Sequence, residues 1–239
     1  MKKNNIPVLI LCGGYGSRLG EEGKKTPKAL IKIGGLPIIF HLIDFFKKQY
    51  FSNIYLATGY KHKKIKNFIM NNNYLSDVKV LNTGLKTMTG GRVLKLKKHF
   101  KNFDRILVTY GDGLANVNLK KLLNFHNKKR GLATVTAVKP FSNFGELFLS
   151  KNNRVNKMSE KEFLEDRWIN GGFFIFEKKI FNFIKNSSEA LEKKPLERIA
   201  KKKKLFAFKH KGFWKCLDNI KDKIEFNNLI KKKKKVWLN

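Results

Sequence analysis

The chain has few cysteines and no long apolar segment. Its 239 residues include only two cysteines, Cys12 and Cys216, which lie far apart, so neither a disulfide framework nor a cysteine zinc site is expected. No run approaches the roughly 18 apolar residues of a membrane-spanning helix. The apolar run that follows Lys3 lacks the small-residue cleavage site of a secretory signal. We therefore expect a cytoplasmic protein with no membrane partner.

Two common phosphate-binding motifs are also missing. A dinucleotide fingerprint requires G-x-G-x-x-G, but Leu19 occupies the third position after Gly14 and Gly16. A Walker loop requires Gly-Lys followed by Ser or Thr, a combination found nowhere in the chain. The sequence therefore gives no support for a dinucleotide-binding site or a P-loop.

Arginine is scarce although the chain is strongly basic. The formal net charge is +34, yet the cations are 45 lysines and only 7 arginines. Such charge suggests a nucleic-acid partner, but specific readers of bases and phosphates use the bidentate contacts of arginine. We interpret the lysine runs 201–204 and 231–235 as solvated helix faces or ends. We expect no specific nucleic-acid partner, with non-specific binding at low salt.

Segments typical of strands and helices alternate along the chain. Strands are predicted over 6–12, 53–58, 78–81, 105–109 and 133–138, with helices between them. After Pro140 the strands shorten, including one over 169–176, and helices are predicted over 178–185, over 189–201 and after Asp218. This order indicates an α/β fold: a single Rossmann-like, mainly parallel sheet flanked by helices, with a smaller strand-rich part. We expect one domain over 1–239, with two halves of about 1–138 and 139–239.

The first predicted strand ends in a glycine-rich segment, residues 11–19, with the sequence LCGGYGSRL. Glycines lack a Cβ atom, so backbone N–H groups there can approach an anionic oxygen closely. Arg18 and Lys28, the latter after Pro27, add positive charge to the same region. We interpret this region as a polyphosphate-binding site. The alternative is a glycine turn that ends the strand and binds nothing.

Further motifs follow in a characteristic order. They are TMTGGR at 87–92, YGDG at 110–113, WINGGFF at 168–174, PLER at 195–198, and GFW at 212–214 followed by Asp218. Together with the glycine-rich segment and Pro27-Lys28, they resemble the sugar-1-phosphate nucleotidyltransferases, and in particular the glucose-1-phosphate cytidylyltransferase branch. The resemblance runs from about residue 6 to the C-terminus. It implies the nucleotide-diphospho-sugar transferase fold, with a nucleotide half before residue 139 and a sugar-phosphate half after it.

The reaction implied by the resemblance joins CTP and a hexose 1-phosphate, most simply glucose 1-phosphate, into a CDP-sugar and pyrophosphate. The sugar phosphate is already anionic at neutral pH, so its in-line attack on the α-phosphorus needs no general base. Catalysis then depends on positioning the anions and offsetting their charge. Alternatives are guanylyl or thymidylyl transfer with the same chemistry, an inactive homologue, or a nucleic-acid-binding protein.

Asp112 and Asp218 are the candidate metal ligands. Asp112 follows a predicted strand and is flanked by glycines, so its carboxylate can project from the sheet edge; the alternative is an ordinary Asp-Gly turn. Asp218 precedes the last predicted helix, where an N-cap is the competing interpretation. The resemblance implies that both bind one Mg²⁺, an ion that is usually held by few carboxylates together with phosphate oxygens.

The resemblance also assigns the remaining site residues. Arg18, Lys28, Asp112 and Lys161 are the expected catalytic residues. The nucleotide would contact Leu11, Cys12, Gly13, Gly14, Tyr15, Gly16, Ser17, Arg18, Lys28, Thr87, Arg92 and Gly111, with the segment 87–92 closing over CTP. The sugar phosphate would contact Gly145, Glu160, Lys161, Asn170 and Gly171.

Two departures bear on the sugar-phosphate half. The segment between Lys66 and Thr83 is shorter than in longer members of the family, which leaves the subunit packing open. The family has Glu-Lys-Pro where this chain has Glu160-Lys161-Glu162, which adds a negative charge near the phosphate and leaves the sugar's identity open. The resemblance makes a homo-oligomer plausible, although no apolar stripe in the sequence identifies a contact surface.

Overall fold

The computed structural model describes residues 5–140, 145–160, 167–232 and 235–238. The strands are β1 Val8–Cys12, β2 Lys32–Ile33, β3 Leu36–Pro37, β4 Ile54–Thr58, β5 Lys79–Asn82, β6 Arg105–Tyr110, β7 Gly113–Ala115, β8 Ala133–Val138, β9 Gly145–Leu149, β10 Val155–Glu160, β11 Ile169–Asn170, β12 Phe174–Glu177, β13 Leu205–His210 and β14 Trp214–Cys216. The α-helices are α1 Gly20–Lys25, α2 Ile38–Lys48, α3 His62–Met70, α4 Thr89–Lys95, α5 Leu119–Lys129, α6 Lys194–Lys201 and α7 Ile220–Lys231.

Eight strands form the central sheet, in the order β11-β8-β12-β6-β1-β4-β5, with β13 also paired to β8. The pairs of β1 with β4 and β6, of β4 with β5 and of β8 with β13 are parallel. Strand β12 runs antiparallel to both β6 and β8, and β11 is antiparallel to β8. The sheet is therefore mixed with a parallel centre, as the sequence predicts.

The central strands β1 and β4 are buried along their whole length because helices cover both faces of the sheet. Every residue of β1 and β4 is buried. Successive residues of a strand point to opposite faces, so Val8 and Ile10 join one core cluster while Leu9 and Leu11 join the other. The first cluster also contains the fully buried ring of Trp237, near the C-terminus.

Three smaller two-stranded sheets lie outside the central one: β2 with β3, β7 with β14, and β9 with β10. The β7–β14 pair is important for the site, because it places the residues that follow Cys216 beside those that precede Gly113. Within the described residues, no helix has the length and apolarity needed to cross a membrane.

The structure corrects several predicted boundaries. The strand expected over 169–176 is divided into β11 and β12, because Gly172 and Phe173 adopt positive φ angles of 77° and 43°. The helix expected over 178–185 is a short 3-10 turn, Lys178–Asn182. The helix expected over 189–201 begins only at Lys194, with Pro195 in its first turn, where a proline costs no helical hydrogen bond.

Candidate functional site

The predicted site lies at one edge of the central sheet. Strands β1, β4, β5 and β6 are parallel in the centre of the sheet, so their carboxyl ends meet at the same edge. In an open α/β sheet this is the edge where ligands bind. The glycine-rich segment follows β1 there, Gly111 and Asp112 follow β6, and Asn170 and Gly171 reach the same edge through the pairing of β11 with the end of β8. We call this region the carboxyl edge.

The glycine-rich segment forms an open loop. Gly14, Tyr15, Ser17 and Arg18 are exposed, and no atom lies within 4 Å of a Cβ built on Gly14. Gly16 has a φ angle of 67°, a left-handed conformation that favours glycine, and its carbonyl accepts a hydrogen bond from the N–H of Leu19 at 3.1 Å. An anion can therefore approach the backbone of the loop from solvent.

Arg92 lies behind the loop instead of facing solvent. Its side chain is 4% exposed, and its guanidinium donates hydrogen bonds to the carbonyls of Gly13, Thr58 and Gly84 at 2.9–3.1 Å and to the Thr83 hydroxyl at 2.5 Å. A Cβ on Gly13 would stand 1.9 Å from the guanidinium carbon. Burial lowers the pKa of Arg92. This residue therefore fixes the loop and the end of β4, a role that the sequence did not predict.

Two other predicted nucleotide contacts are buried. The Thr87 hydroxyl donates to the Thr83 carbonyl at 2.6 Å and accepts a hydrogen bond from Lys95. Gly111 lies against Cys12, because a Cβ there would approach the Cys12 sulfur to 2.5 Å. Burial also raises the pKa of the Cys12 thiol, so this cysteine is a packed apolar group rather than a nucleophile.

Lys28 joins the two predicted metal ligands. Its ammonium lies 2.6 Å from an oxygen of Asp112 and 2.7 Å from an oxygen of Asp218. The two aspartates are distant in sequence and come together because β7 pairs with β14 and because Leu217 N–H donates to the Asp112 carbonyl at 2.8 Å. The Lys28 side chain is 18% exposed, whereas the carboxylates of Asp112 and Asp218 are 27% and 45% exposed. Both carboxylates thus keep a side open toward solvent.

The pKa of Lys28 is raised. Burial, the largest single influence, pushes this pKa down, but the charges and hydrogen bonds of Asp112 and Asp218 together outweigh it. Lys28 therefore stays charged at neutral pH. Arg18 adds a second cation above the same pair, with its guanidinium 3.7 Å from Asp218 and a side chain that is 78% exposed. It is free to turn toward an anion.

Asp218 is not the cap of the last helix. The N-cap of α7 is Asn219, whose side chain accepts from the Asp222 N–H at 3.0 Å, while the Asp222 carboxylate accepts from the Asn219 N–H in a reciprocal capping box. The carboxylate of Asp218 is left to contact Lys28 and Arg18. The N-cap alternative is therefore excluded.

The donor set suits Mg²⁺ better than a metal enclosed by protein. In the described part of the chain no group of three or more His, Cys, Asp or Glu side chains could hold a metal ion. Mg²⁺ is usually held by one or two protein carboxylates and takes its other ligands from phosphate oxygens and water. Asp112 and Asp218 fit this way of binding Mg²⁺. In this structure the Lys28 ammonium lies between them and contacts one oxygen of each.

Near the end of β6, the carboxyl edge contains a hydrogen-bonded chain that the sequence did not predict. The Asn170 amide donates to the Tyr110 hydroxyl at 3.0 Å, and this hydroxyl donates to Glu192 at 2.5 Å. The other carboxylate oxygen of Glu192 accepts from the Thr89 hydroxyl at 2.7 Å. Tyr110 could have been noticed, since it ends β6 two residues before Asp112. Glu192 gives no sequence signal, because it lies where a helix was expected.

Of the other residues predicted to contact the sugar phosphate, Gly145, Glu160 and Gly171 lie in the part of the chain that the structure describes. The Gly171 carbonyl accepts a hydrogen bond from the Trp214 indole at 2.8 Å, which ties β14 to this edge. Gly145 begins β9 and Glu160 ends β10 in a separate antiparallel pair. Lys161, the predicted partner of the sugar phosphate, lies outside the described residues, as does Glu162.

Comparison with known proteins agrees with this architecture. A family model described as nucleotidyl transferase matches residues 7–233. A probable glucose-1-phosphate cytidylyltransferase of Bacillus subtilis is 34% identical, over 97% of this chain and 99% of that protein. A glucose-1-phosphate cytidylyltransferase of Salmonella typhimurium is 32% identical, over 97% and 98%.

A solved structure of UDP-glucose pyrophosphorylase with bound UDP-glucose superposes with a TM-score of 0.73 at 19% identity, over 95% of this chain and 99% of that one. At that identity the likeness concerns the fold, which is the nucleotide-diphospho-sugar transferase fold expected from the sequence. The family model matches nearly the whole chain, and two relatives above 30% identity align along nearly all of it. The chain therefore belongs to the nucleotidyl transferase family, as a sugar-1-phosphate nucleotidyltransferase.

Proposed function

We propose that this protein transfers the cytidylyl group of CTP to a hexose 1-phosphate, most simply α-D-glucose 1-phosphate, and releases pyrophosphate. The observation that carries the proposal is the Asp112–Lys28–Asp218 contact at the carboxyl edge, beside the open glycine loop. It combines a cation for phosphate oxygens with two partly exposed carboxylates. Such an arrangement suits transfer between two phosphate groups rather than attack by a side-chain nucleophile.

The proposed chemistry is a displacement at the α-phosphorus of CTP. A phosphate oxygen of the sugar phosphate forms the new P–O bond, and the bond to the β-phosphate oxygen breaks in line with it. The electron pair of that bond leaves with pyrophosphate. No proton has to be removed from the attacking oxygen, so the reaction needs no general base. The burial of Cys12 argues separately against a thiol nucleophile.

In this mechanism the protein orients anions and offsets their charge. The N–H groups of the loop and the guanidinium of Arg18 would hold the triphosphate, and Lys28 would move from the carboxylates toward the phosphate oxygens. Asp112 and Asp218 would hold Mg²⁺, which when bound neutralises part of the charge of the phosphates. Lys161 would receive the phosphate of the sugar, with Gly145, Glu160, Asn170 and Gly171 near the sugar.

The choice of cytidine rests on the relatives rather than on the geometry. The two relatives described above are named as glucose-1-phosphate cytidylyltransferases and align along nearly the whole chain. Arg92 is buried and donates to backbone carbonyls behind the loop, so its influence on the choice of base would be indirect. Guanylyl or thymidylyl transfer would use the same phosphate site and remains the alternative.

We also propose a homo-oligomer in the cytoplasm, without a specific nucleic-acid partner. The observation that favours self-association is the β9–β10 hairpin, which exposes Leu147, Phe148, Leu149 and Met158 by 47–66%. An isolated two-stranded sheet is marginally stable in water, and a second copy would cover these side chains. Sedimentation velocity of the wild type and of a Leu147→Lys/Leu149→Lys variant tests this: a single monomeric species in both contradicts it.

The reaction is tested by pyrophosphate release in the presence of Mg²⁺. ATP, CTP, GTP, UTP and dTTP are each offered with glucose 1-phosphate, and the product is identified by mass. We expect release with CTP and a CDP-hexose as product. Release with another triphosphate retains the chemistry and overturns the cytidine assignment. Failure with every triphosphate and with a panel of hexose 1-phosphates overturns the proposal.

A further inference from the structure

A second cationic site lies at the opposite edge of the central sheet, which we call the amino edge. An open cavity of about 840 Å³ forms there between the start of β6, the end of β12 and the end of α5. That volume is typical of pockets for nucleotide-sized ligands. Strand β6 connects the two edges, with Arg105 at the cavity and Tyr110 at the carboxyl edge, roughly 17 Å apart at about 3.3 Å per residue. A ligand in the cavity would therefore not touch the carboxyl-edge site.

The lining of the cavity is strongly positive. Its six cationic side chains are Lys97, Lys101, Arg105, Arg130, Lys178 and Lys179, and its two carboxylates are Asp104 and Glu177. Glu177 is already engaged, because one of its oxygens lies 2.6 Å from Arg105 and 3.0 Å from the ring of the buried His126. Burial lowers the pKa of His126, which keeps that ring neutral at neutral pH.

Three of the cations have no partner of their own. Among the residues that the structure describes, no carboxylate lies within 4.0 Å of the side-chain nitrogens of Lys101, Arg130 or Lys179. Their mutual repulsion around one concavity is a cost that a bound anion would remove. The lysine-rich composition alone does not explain this lining, since two of the chain's seven arginines are among its cations.

We propose that the amino-edge cavity binds a phosphorylated small molecule of nucleotide size, at a site separate from the carboxyl edge. Lys101, Arg130 and Lys179 would contact the phosphate groups. The side-chain oxygen of Asn127 already accepts a hydrogen bond from Arg105, so its amide nitrogen is left to donate to a ligand. The Asn182 amide offers further hydrogen bonds, and Leu132 and Phe181 provide an apolar wall for the rest of the ligand. Arg105 is held by Glu177 and shapes the cavity floor. The ligand class is defined by a chain of phosphates, either free or carried by a nucleoside.

The test counts binding sites by calorimetry without Mg²⁺, using inorganic tripolyphosphate as the probe. We expect two sites per chain in the wild type. Lys28→Glu should remove the carboxyl-edge site, and Arg130→Glu/Lys179→Glu should remove the other or weaken it by about tenfold or more for each lost cation. The matched control is Lys201→Glu/Lys202→Glu, which makes the same charge change on exposed lysines at the end of α6 and should retain both sites.

The Arg130→Glu/Lys179→Glu variant should turn over at the wild-type rate, and this rate also shows that the variant is folded. If this variant does not fold, Arg130→Gln/Lys179→Gln replaces it. A single site in the wild type, or an equal loss in the control variant, overturns the proposal. Displacement of the probe by a random oligonucleotide, with a steep salt dependence, would instead assign the surface to nucleic acid. Repeating the titration with CTP separates the two sources: equal affinity indicates that phosphates alone are bound, and tighter binding of CTP indicates a nucleotide.

Discussion

The two edges of the central sheet use charge in opposite ways. At the carboxyl edge, Lys28 is held between Asp112 and Asp218, so the protein itself supplies the negative charge around its cation. At the amino edge, the carboxylate of Glu177 is used by Arg105 and His126, and the other cations around the cavity are left in excess. A balanced cluster can hold a metal ion together with an anion, whereas an unbalanced one is suited to an anion alone. The same basic composition thus yields two chemically different surfaces.

The largest expected effect comes from removing one charge at the carboxyl edge. Asp112→Asn keeps the size of the side chain but removes a proposed metal ligand and a partner of Lys28, so we expect pyrophosphate release to fall at least about a hundredfold. The matched control at the amino edge is Asp104→Asn, which should retain the wild-type rate. Thermal unfolding checks that both variants are folded. Full activity of Asp112→Asn would contradict the metal assignment, and equal losses in both would contradict the division between the edges.

A second effect concerns the stability of the glycine loop. A methyl group on Gly13 would collide with the guanidinium of Arg92, while one on Gly14 would meet no atom within 4 Å. We therefore expect Gly13→Ala to lower the free energy of unfolding by about 2 kcal/mol, and Gly14→Ala to change it by less than about 0.5 kcal/mol. Urea denaturation measures both.

The cause of that difference can be isolated in an Arg92→Ala background. There the guanidinium is gone, so Gly13→Ala should cost much less than in the wild type, a coupling expected only for residues in contact. If the cost of Gly13→Ala is unchanged in that background, Arg92 is not what requires the glycine.

The predictability of the fold and of the site differed for physical reasons. Strands such as β1 and β4 are buried on both faces, so their continuous apolar runs were visible in the sequence. Asp218 and Asn219 are both good capping residues, and only the backbone path decides which one caps α7. The direction of Arg92 was not predictable either, because it depends on how α4 packs behind the loop that follows β1.

Contacts between segments that are distant in the sequence were the hardest to predict. That Lys28 contacts both aspartates depends on the pairing of β7 with β14, two strands of three residues each with no periodicity of their own. Glu192 reaches Tyr110 from a segment that lacks the predicted helix, since α6 begins two residues later. The sequence therefore predicted the strands whose carboxyl ends meet at the carboxyl edge but not the side-chain contacts made there.

A third effect links the amino edge to pH. Burial lowers the pKa of His126 below the value of about 6.5 that it has in the unfolded chain. As pH falls through about 6.5, the unfolded chain binds this proton before the folded one does, so stability present above that pH is lost. The free energy of unfolding should decrease from pH 7.5 to 5.5, and His126→Gln should reduce that decrease by about 1 kcal/mol.

The control for this pH effect is His99→Gln, whose ring is only half-buried and whose pKa burial also lowers. Removal of the His99 ring should change the slope of the free energy of unfolding against pH less than His126→Gln does. Urea denaturation at three pH values gives the slopes. Identical dependence of the free energy of unfolding on pH in the wild type and in His126→Gln would show that burial does not hold the pKa of this ring below its unfolded value.

The smallest expected effect lies in the hydrogen-bonded chain from Asn170 through Tyr110 to Glu192 at the carboxyl edge. Tyr110→Phe removes the hydroxyl that connects Asn170 to Glu192 but keeps the ring against Phe174. The loss of two hydrogen bonds at a partly exposed site is worth about 1 kcal/mol, which corresponds to a severalfold change. Because Asn170 is a proposed sugar contact, we expect the Michaelis constant for the sugar phosphate to rise severalfold while that for CTP stays constant. Initial rates with each substrate varied in turn measure both constants. A rise confined to the Michaelis constant for CTP would assign the hydrogen bonds of Tyr110 to the nucleotide. The residues after β6 would then not belong to the sugar-phosphate half alone.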